Sequence, residues 1–136
     1  MLRLVSALLF AVGLSLTTAS AQTLPLPSAW KNARGSEMRI WPGPTPGSFR
    51  GEYINSATGF DCRGVPFDLV GQTRGSTVKF VVVWKNFIQS CNSVTAWVGR
   101  LTTTDTLTTG WELAYVDGNT GLIKILRGTD VFQRVP

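Results

Sequence analysis

Hydroxyl side chains alternate with a tryptophan along one stretch of the chain, SCNSVTAWVGR, which begins at Ser90. The period-two geometry of a β-strand places Ser93, Thr95 and Trp97 on one face of this segment. The run before it, VVVWKN, contributes Trp84. Because a buried hydroxyl without a partner costs about 1–3 kcal/mol, hydroxyls among tryptophans indicate a cavity in which water or a ligand satisfies them.

Other segments mix polar and apolar side chains in the same way. Residues that share one face are Asn32, Arg34 and Ser36 across a turn, Tyr53 with Asn55, and Trp111 with Leu113. Tryptophan in small β proteins is usually a core residue, and we expect Trp30 and Trp41 to be core residues only. For the other three tryptophans, core filling and a ligand-site wall are both open on the residues alone.

The chain has few side chains that could act in catalysis. Histidine is absent and no free thiolate is expected, so nucleophilic triads and the usual zinc sites lack their key residues. A carboxylate-dependent hydrolase would need Asp130 with Glu112. Strand alternation turns Glu112 away from the face of Trp111. We therefore expect no enzyme, no metal site and no cofactor.

The N-terminus has the pattern of a secretory signal peptide. Arg3 precedes the apolar run LVSALLFAVGLSL, and Ala19-Ser20-Ala21 is a small-x-small cleavage site. The apolar run is too short for a membrane anchor. Residues 1–21 are thus predicted to be removed, which leaves one domain over residues 22–136 in a secreted or periplasmic protein.

The positive charge of the chain is scattered. The 13 Lys and Arg residues against 8 Asp and Glu give a formal net charge of +5, and the basic residues stand singly. This distribution is typical of a solvated surface rather than of a nucleic-acid-binding stripe. We expect no nucleic-acid partner and no membrane partner after cleavage.

Turn signals recur about every 8–12 residues between β-branched and aromatic runs, which predicts an all-β fold. Eight strands are expected, in SAWKNAR, SEMRIW, SFRGEYINS, PFDLVGQT, STVKFVVVWKN, SVTAWVGRLT, TLTTGWELAYV and GLIKILRGTDVFQRV. Short Pro/Gly and Asn/Gly links predict antiparallel neighbours. The favoured architecture is an eight-stranded antiparallel up-and-down β-barrel with a ligand site in one barrel mouth, and a two-sheet sandwich is the alternative.

The chain has two cysteines, Cys62 and Cys91. A disulfide is the favoured state in an exported chain. Cys62 lies in the Gly-rich link SATGFDCRGVP between strands three and four, and Cys91 lies in the predicted turn between strands five and six. A bridge between them would be either a structural staple or a tie between two loops at the rim of a site.

Several separated segments, in this order, resemble the avidin/streptavidin family of biotin-binding proteins: WKNARGSEM, GEYIN, VVVWKN, SVTAWVGR, GWELAY and GTDVFQRV. The resemblance extends from about Ser28 to Pro136. It implies an avidin-like barrel that binds and sequesters biotin non-covalently, with high affinity and without turnover. A barrel that binds another small apolar or carbohydrate ligand is the alternative.

The resemblance also implies the role of each residue in the site. The matching positions are the three donors to the ureido oxygen of biotin (Asn32, Ser36 and Tyr53), the acceptors of its two N–H groups (Asp130 and Asn55), the hydroxyls that face the sulfur and the valeryl carboxylate (Thr95 and Ser93), and the apolar walls (Trp84, Trp97, Trp111 and Leu113).

Two departures from the family pattern are informative. Leu122 stands where tetrameric members carry the tryptophan that caps a neighbour's site. Short dimeric bacterial members also lack that tryptophan, and they have a cysteine pair at loops that match Cys62 and Cys91. The resemblance to these members implies a homodimer whose disulfide pre-organises a lid. Arg34 replaces a residue that is often apolar, so an altered contact with the bicyclic ring is expected.

Overall fold

The protein folds as one closed barrel of eight antiparallel strands in chain order, with β1 pairing with β8 to complete the ring. This computed structural model describes residues 15–16 and 22–136. The strands are β1 (Ser28–Asn32), β2 (Glu37–Pro42), β3 (Ser48–Ile54), β4 (Pro66–Arg74), β5 (Thr77–Lys85), β6 (Ser90–Thr103), β7 (Thr106–Val116) and β8 (Ile123–Val135). The predicted barrel is thereby confirmed. The predicted signal peptide lies outside the described residues, apart from residues 15–16.

All eight predicted strands are present, with ends that differ from the prediction by up to three residues, and one of these differences concerns a cysteine. Cys91 lies in β6 and not in the turn before it. The β5–β6 ladder has an irregularity beyond Val83 and resumes with a pair between Lys85 and Ser90. Because this pairing extends the hairpin, the turn is confined to residues 86–89. No helix among the described residues is long and apolar enough to cross a membrane.

The barrel interior is filled by aromatic and aliphatic side chains that alternate along each strand. Phe80 of β5 stacks on Trp97 of β6, with ring centroids 4.8 Å apart, and Phe132 of β8 meets Phe80 edge-on at 6.0 Å. Burial of such side chains is the main favourable term in folding. These rings are packed below Tyr53, whose ring centroid lies 5.0 Å from that of Trp97.

The prediction for the two remaining tryptophans is half right. Trp30 is fully buried, and its Nε1 donates to Ser28 Oγ at 2.8 Å. Trp41 is only half-buried, so its assignment to the core is wrong. Its neighbour Ile40 is buried in the barrel, and strand alternation turns Trp41 to the outer face.

Candidate ligand-binding site

A cavity of about 370 Å³ opens at the end of the barrel where β1, β3, β5 and β7 finish. Its size falls in the range of small-molecule sites. Every predicted ligand residue lines it, namely Asn32, Ser36, Tyr53, Asn55, Trp84, Ser93, Thr95, Trp97, Trp111, Leu113 and Asp130. The structure therefore brings together side chains that come from every strand except β2 and β4.

Further lining residues were not predicted. Tyr115 and Leu126 share strand parity with Leu113 and Asp130, so alternation along β7 and β8 could have identified them. Phe60 belongs to the loop between β3 and β4, residues 55–65, called the rim loop below. Its position depends on long-range contacts that no local pattern reports.

The orientation of the Asn32 amide follows from its hydrogen bonds. Its Oδ1 accepts the backbone N–H groups of Arg34 and Ser36, each at 3.0 Å. The turn that presents them requires Gly35, whose φ of 84° favours glycine. Because Oδ1 is occupied, Nδ2 remains as the donor of a side chain that lines the cavity.

Tyr53 supplies a neutral phenol. The side chain is only 2% exposed, and its ring meets Trp84 edge-on, with centroids 5.7 Å apart. Burial, aided by the charge of Asp130, raises the pKa of Tyr53 far above its ordinary value of 10.0. The hydroxyl therefore keeps its proton at physiological pH and can donate a hydrogen bond.

Ser36 and Asn55 are linked to each other and to the rim loop. Ser36 Oγ accepts the backbone N–H of Ser56 at 2.9 Å and donates to Asn55 Oδ1 at 3.3 Å. Asn55 Oδ1 also accepts the backbone N–H of Ala57 at 3.0 Å. Both acceptor positions of this oxygen are occupied, so a ligand N–H can bind there once the Ser36 hydroxyl turns away.

Asn55 also anchors the middle of the rim loop. Its Nδ2 donates to the backbone oxygen of Asp61 at 3.1 Å, and its backbone oxygen accepts the N–H of Gly64 at 2.9 Å. The same residue thus lines the cavity and holds the loop that borders it. Sequence reasoning assigned Asn55 the first of these roles and missed the second.

The disulfide between Cys62 and Cys91 is present, with a Cα–Cα distance of 6.1 Å. It joins the rim loop to the start of β6. Two residues before Cys62, Phe60 meets Trp111 edge-on, with centroids 6.1 Å apart. Since Phe60 and Cys91 both line the cavity, the bridge is a tie at the rim of the site.

Asp130 provides a buried carboxylate acceptor. Its Oδ2 accepts Trp97 Nε1–H at 2.9 Å, and its backbone oxygen accepts the Thr109 hydroxyl at 3.0 Å. Burial raises the pKa of Asp130, and the Trp97 hydrogen bond and the Arg34 charge oppose that rise. The Asn32 amide lies near enough to lower this pKa as well, but among the described residues the one side-chain hydrogen bond to the carboxylate goes to Oδ2, so Oδ1 is available to a ligand donor.

Hydrogen bonding also orients the Thr95 hydroxyl. Trp84 Nε1 donates to Thr95 Oγ1 at 2.7 Å. The oxygen is therefore an acceptor, and its own hydrogen is free to point at a ligand. Ser93, two residues earlier on the same face, is half-buried and pairs across the ladder with Tyr115.

Trp111 lies flat on β8 because its ladder partner is Gly128. A Cβ on residue 128 would lie 2.3 Å from Cζ2 of the indole, far inside contact distance. The Arg34 guanidinium carbon lies 5.7 Å from the indole centroid. Trp111 Nε1 is buried and lacks a hydrogen-bond partner within the described residues.

Glu112 lies outside the cavity, as strand alternation predicted. Its side chain is exposed and accepts Arg127 Nε–H at 2.6 Å. A carboxylate pair with Asp130 is thereby ruled out by geometry. Among residues 15–16 and 22–136, no group of three or more His, Cys, Asp or Glu side chains is placed to hold a metal ion.

Comparisons with known proteins agree with this site. The Avidin family model matches residues 20–135. Afifavidin of Afifella pfennigii is 39% identical over 122 residues, which are 85% of this chain and 75% of afifavidin. The bradavidin2–biotin complex is 43% identical with a TM-score of 0.72 and covers 82% of this chain and 99% of its own.

The rhizavidin–biotin complex is 37% identical, has a TM-score of 0.75 and covers 82% of this chain and 93% of its own. The predicted resemblance to the short bacterial avidins is thus confirmed, and the chain belongs to the Avidin family.

Proposed function

We propose that this chain binds biotin non-covalently in its barrel mouth and holds it without turnover. The observation that carries the proposal is the convergence of three donors, Asn32 Nδ2, Ser36 Oγ and Tyr53 Oη, on a cavity that also contains the Asp130 carboxylate. The bradavidin2 and rhizavidin structures that this chain resembles are biotin complexes.

The hydrogen-bonding groups match a cyclic urea in number and kind. The ureido oxygen has room for three donors, which then polarise it towards an oxyanion. Its two N–H groups need acceptors, which are Asp130 Oδ1 and Asn55 Oδ1. The Thr95 hydroxyl faces the ring sulfur, and Ser93 is assigned to the valeryl carboxylate. The buried polar groups assigned to the urea then have partners, and the cost of an unmade hydrogen bond is avoided for them.

Ligand entry changes the partner of Ser36. In the free site its hydroxyl donates to Asn55 Oδ1. When it turns to the ureido oxygen, it still accepts from the Ser56 N–H and frees one acceptor position on Asn55 for a ureido N–H. One hydroxyl rotation thus completes both sides of the urea site without displacing the rim loop.

Calorimetric titration of the oxidised protein with biotin tests the proposal. We expect one biotin per chain, with binding too tight to leave measurable free ligand at the concentrations used. The cyclic urea 2-imidazolidone, which has the ureido group alone, should bind in the same site and compete. A folded, disulfide-intact sample that gives no heat with biotin but binds a carbohydrate or another apolar ligand would replace this proposal with the alternative.

Asn55→Ser tests the link between the ureido site and the rim loop. Serine retains a hydroxyl acceptor but loses the bonds to Ala57 and Asp61. At about 0.5–1 kcal/mol for each bond, we expect biotin to dissociate about 5- to 30-fold faster. Amides of the rim loop should also exchange faster in the free protein. Thr58→Ala, at an exposed position in the same loop, is the control, and unchanged loop exchange in Asn55→Ser would contradict the prediction.

We also propose that the protein is a homodimer. An apolar row crosses the outer face of β5 to β8 through the ladder partners Val83, Val94, Ala114 and Ile125. Nearby on the same face, Val98 is 59% exposed and Ile123 is 73% exposed. Contiguous exposed apolar surface of this kind supports an interface between subunits.

Sedimentation equilibrium gives the mass of the assembly. We expect the mass of two chains, and a shift to one chain in Ile125→Glu, because the new carboxylate would be buried without a partner. Gln72→Glu adds the same charge to the exposed face of β4 and should leave the dimer intact. A one-chain mass for the unmodified protein would overturn the dimer.

The sequence pattern of residues 1–21 supports export, and the disulfide fits an oxidising compartment. We therefore propose a secreted or periplasmic protein that begins at Gln22 after cleavage. Mass spectrometry of the exported chain tests this, and a mature form that still carries residues 1–21 would contradict it.

A further inference from the structure

Arg34 places an unpaired guanidinium at the mouth of the cavity. It lies in the β1–β2 turn, where its backbone N–H is held by Asn32 Oδ1. Its side chain lines the cavity and lies over Trp111, with Cζ 5.7 Å from the ring centroid. Within the described part of the chain, the guanidinium forms neither an ion pair nor a hydrogen bond.

Arg34 is also the one cation among the described residues that line the cavity, where the carboxylates are Asp61 and Asp130. Asp61 is exposed, whereas Asp130 is buried. The buried acceptor of the site therefore has a single positive charge near it. Exposed guanidinium groups over an indole contribute about 0.5–1 kcal/mol, so the contact with Trp111 gives this side chain a preferred position.

We propose that Arg34 is a positioning residue of the biotin site, which holds the Trp111 wall from the mouth and supplies the positive charge that balances Asp130. The inference rests on the proposed function, since it assigns Asp130 the role of ligand acceptor. It explains why a positively charged side chain borders a cavity whose buried charge is the Asp130 carboxylate.

The charged and titratable groups that face Asp130 are few. The β1–β2 turn contributes Arg34, and β3 contributes Tyr53, which stays neutral. β1, β6 and β7 contribute the uncharged Asn32, Trp97 and Thr109. Arg34 is thus the group whose removal changes the charge around this carboxylate.

The sign of the pH dependence follows from this arrangement. Biotin binding needs Asp130 in its ionised form. The affinity for biotin is therefore full above the pKa of Asp130 and is lost as the pH falls through that pKa. Burial already raises this pKa, and the Arg34 charge lowers it. Removing the charge should therefore shift the loss of affinity to higher pH.

The test compares Arg34→Met and Arg34→Lys with the unmodified protein in a series of biotin affinities from neutral to acidic pH. We expect the midpoint of the acid loss to move to higher pH in Arg34→Met and to stay in place in Arg34→Lys, which retains the charge. Loss of the planar contact with Trp111 should speed biotin dissociation about two- to fivefold in Arg34→Met at neutral pH. Equal midpoints in all three proteins would overturn the proposal.

A ligand-free measurement separates this inference from the proposed function. The carboxyl carbon of Asp130 can be titrated by NMR in the free protein and in Arg34→Met. A higher pKa in the variant supports the charge-balancing role even if the protein binds no biotin, in which case the proposed function fails alone. An unchanged pKa in a protein that does bind biotin overturns the inference alone.

Discussion

Asp130→Ala is expected to weaken biotin binding by about 10- to 150-fold from the loss of one hydrogen bond to a charged acceptor, which contributes about 1.5–3 kcal/mol. A second effect adds to this loss. Trp97 Nε1 donates to the same carboxylate at 2.9 Å, so the alanine leaves a buried indole N–H unpaired and the wall less firmly placed. Competition against labelled biotin at neutral pH measures the change.

Two matched variants separate the possible causes. Asp130→Asn keeps the size of the side chain but offers one acceptor oxygen for both Trp97 and the ligand. Its affinity for biotin should therefore lie between that of the unmodified protein and that of Asp130→Ala. Glu112→Gln neutralises a carboxylate that is exposed and paired with Arg127, and it should bind biotin normally. Wild-type affinity in a folded Asp130→Ala would show that the carboxylate is not a ligand acceptor.

The residues on strands could be predicted because their direction is a local property. Alternation along β6 places Ser93, Thr95 and Trp97 on one face, and all three line the cavity. Closure of the barrel then brings this face opposite Tyr53 of β3. Alternation also shows which way a side chain points, and this correctly turned Glu112 outward.

Residue type alone does not show which face of a strand a side chain occupies. The residue type of Trp41 predicts a core position, yet this residue has the outward parity of β2. The sequence predicts a turn at Cys91 because the irregularity of the β5–β6 ladder beyond Val83 has no local signal. The Trp41 error therefore comes from weighting composition above strand register, whereas the Cys91 error comes from a register shift that strand alternation does not report.

The rim loop was the least predictable part of the site. Its path is set by the bonds of Asn55 to Asp61 and Gly64 and by the disulfide. None of these contacts has a period that a sequence pattern could reveal. The resemblance to a family identified the cysteine pair, but the packing of Phe60 on Trp111 required the structure.

Removing the disulfide by Cys62→Ala with Cys91→Ala should destabilise the protein by about 3–4 kcal/mol, since the bridge closes a loop with a sequence separation of 29. For a domain of this size, that loss lowers the unfolding midpoint by roughly 10–20 °C. Calorimetric unfolding of the free protein measures it. Reducing the unmodified protein provides the control without a change of sequence, and an unchanged midpoint in both samples would contradict the prediction.

The same variant should release biotin faster, because the rim loop is then held by Asn55 and the Phe60–Trp111 contact without the covalent tie. The disulfide and the Asn55 amide restrain the same loop, so the effects of removing them should not be additive. We expect Asn55→Ser to accelerate dissociation more in the bridge-free protein than in the oxidised one, measured by chase of labelled biotin. Equal factors in both backgrounds would mean that bridge and amide act on different steps, and that the bridge stabilises the fold without holding the rim loop over the ligand.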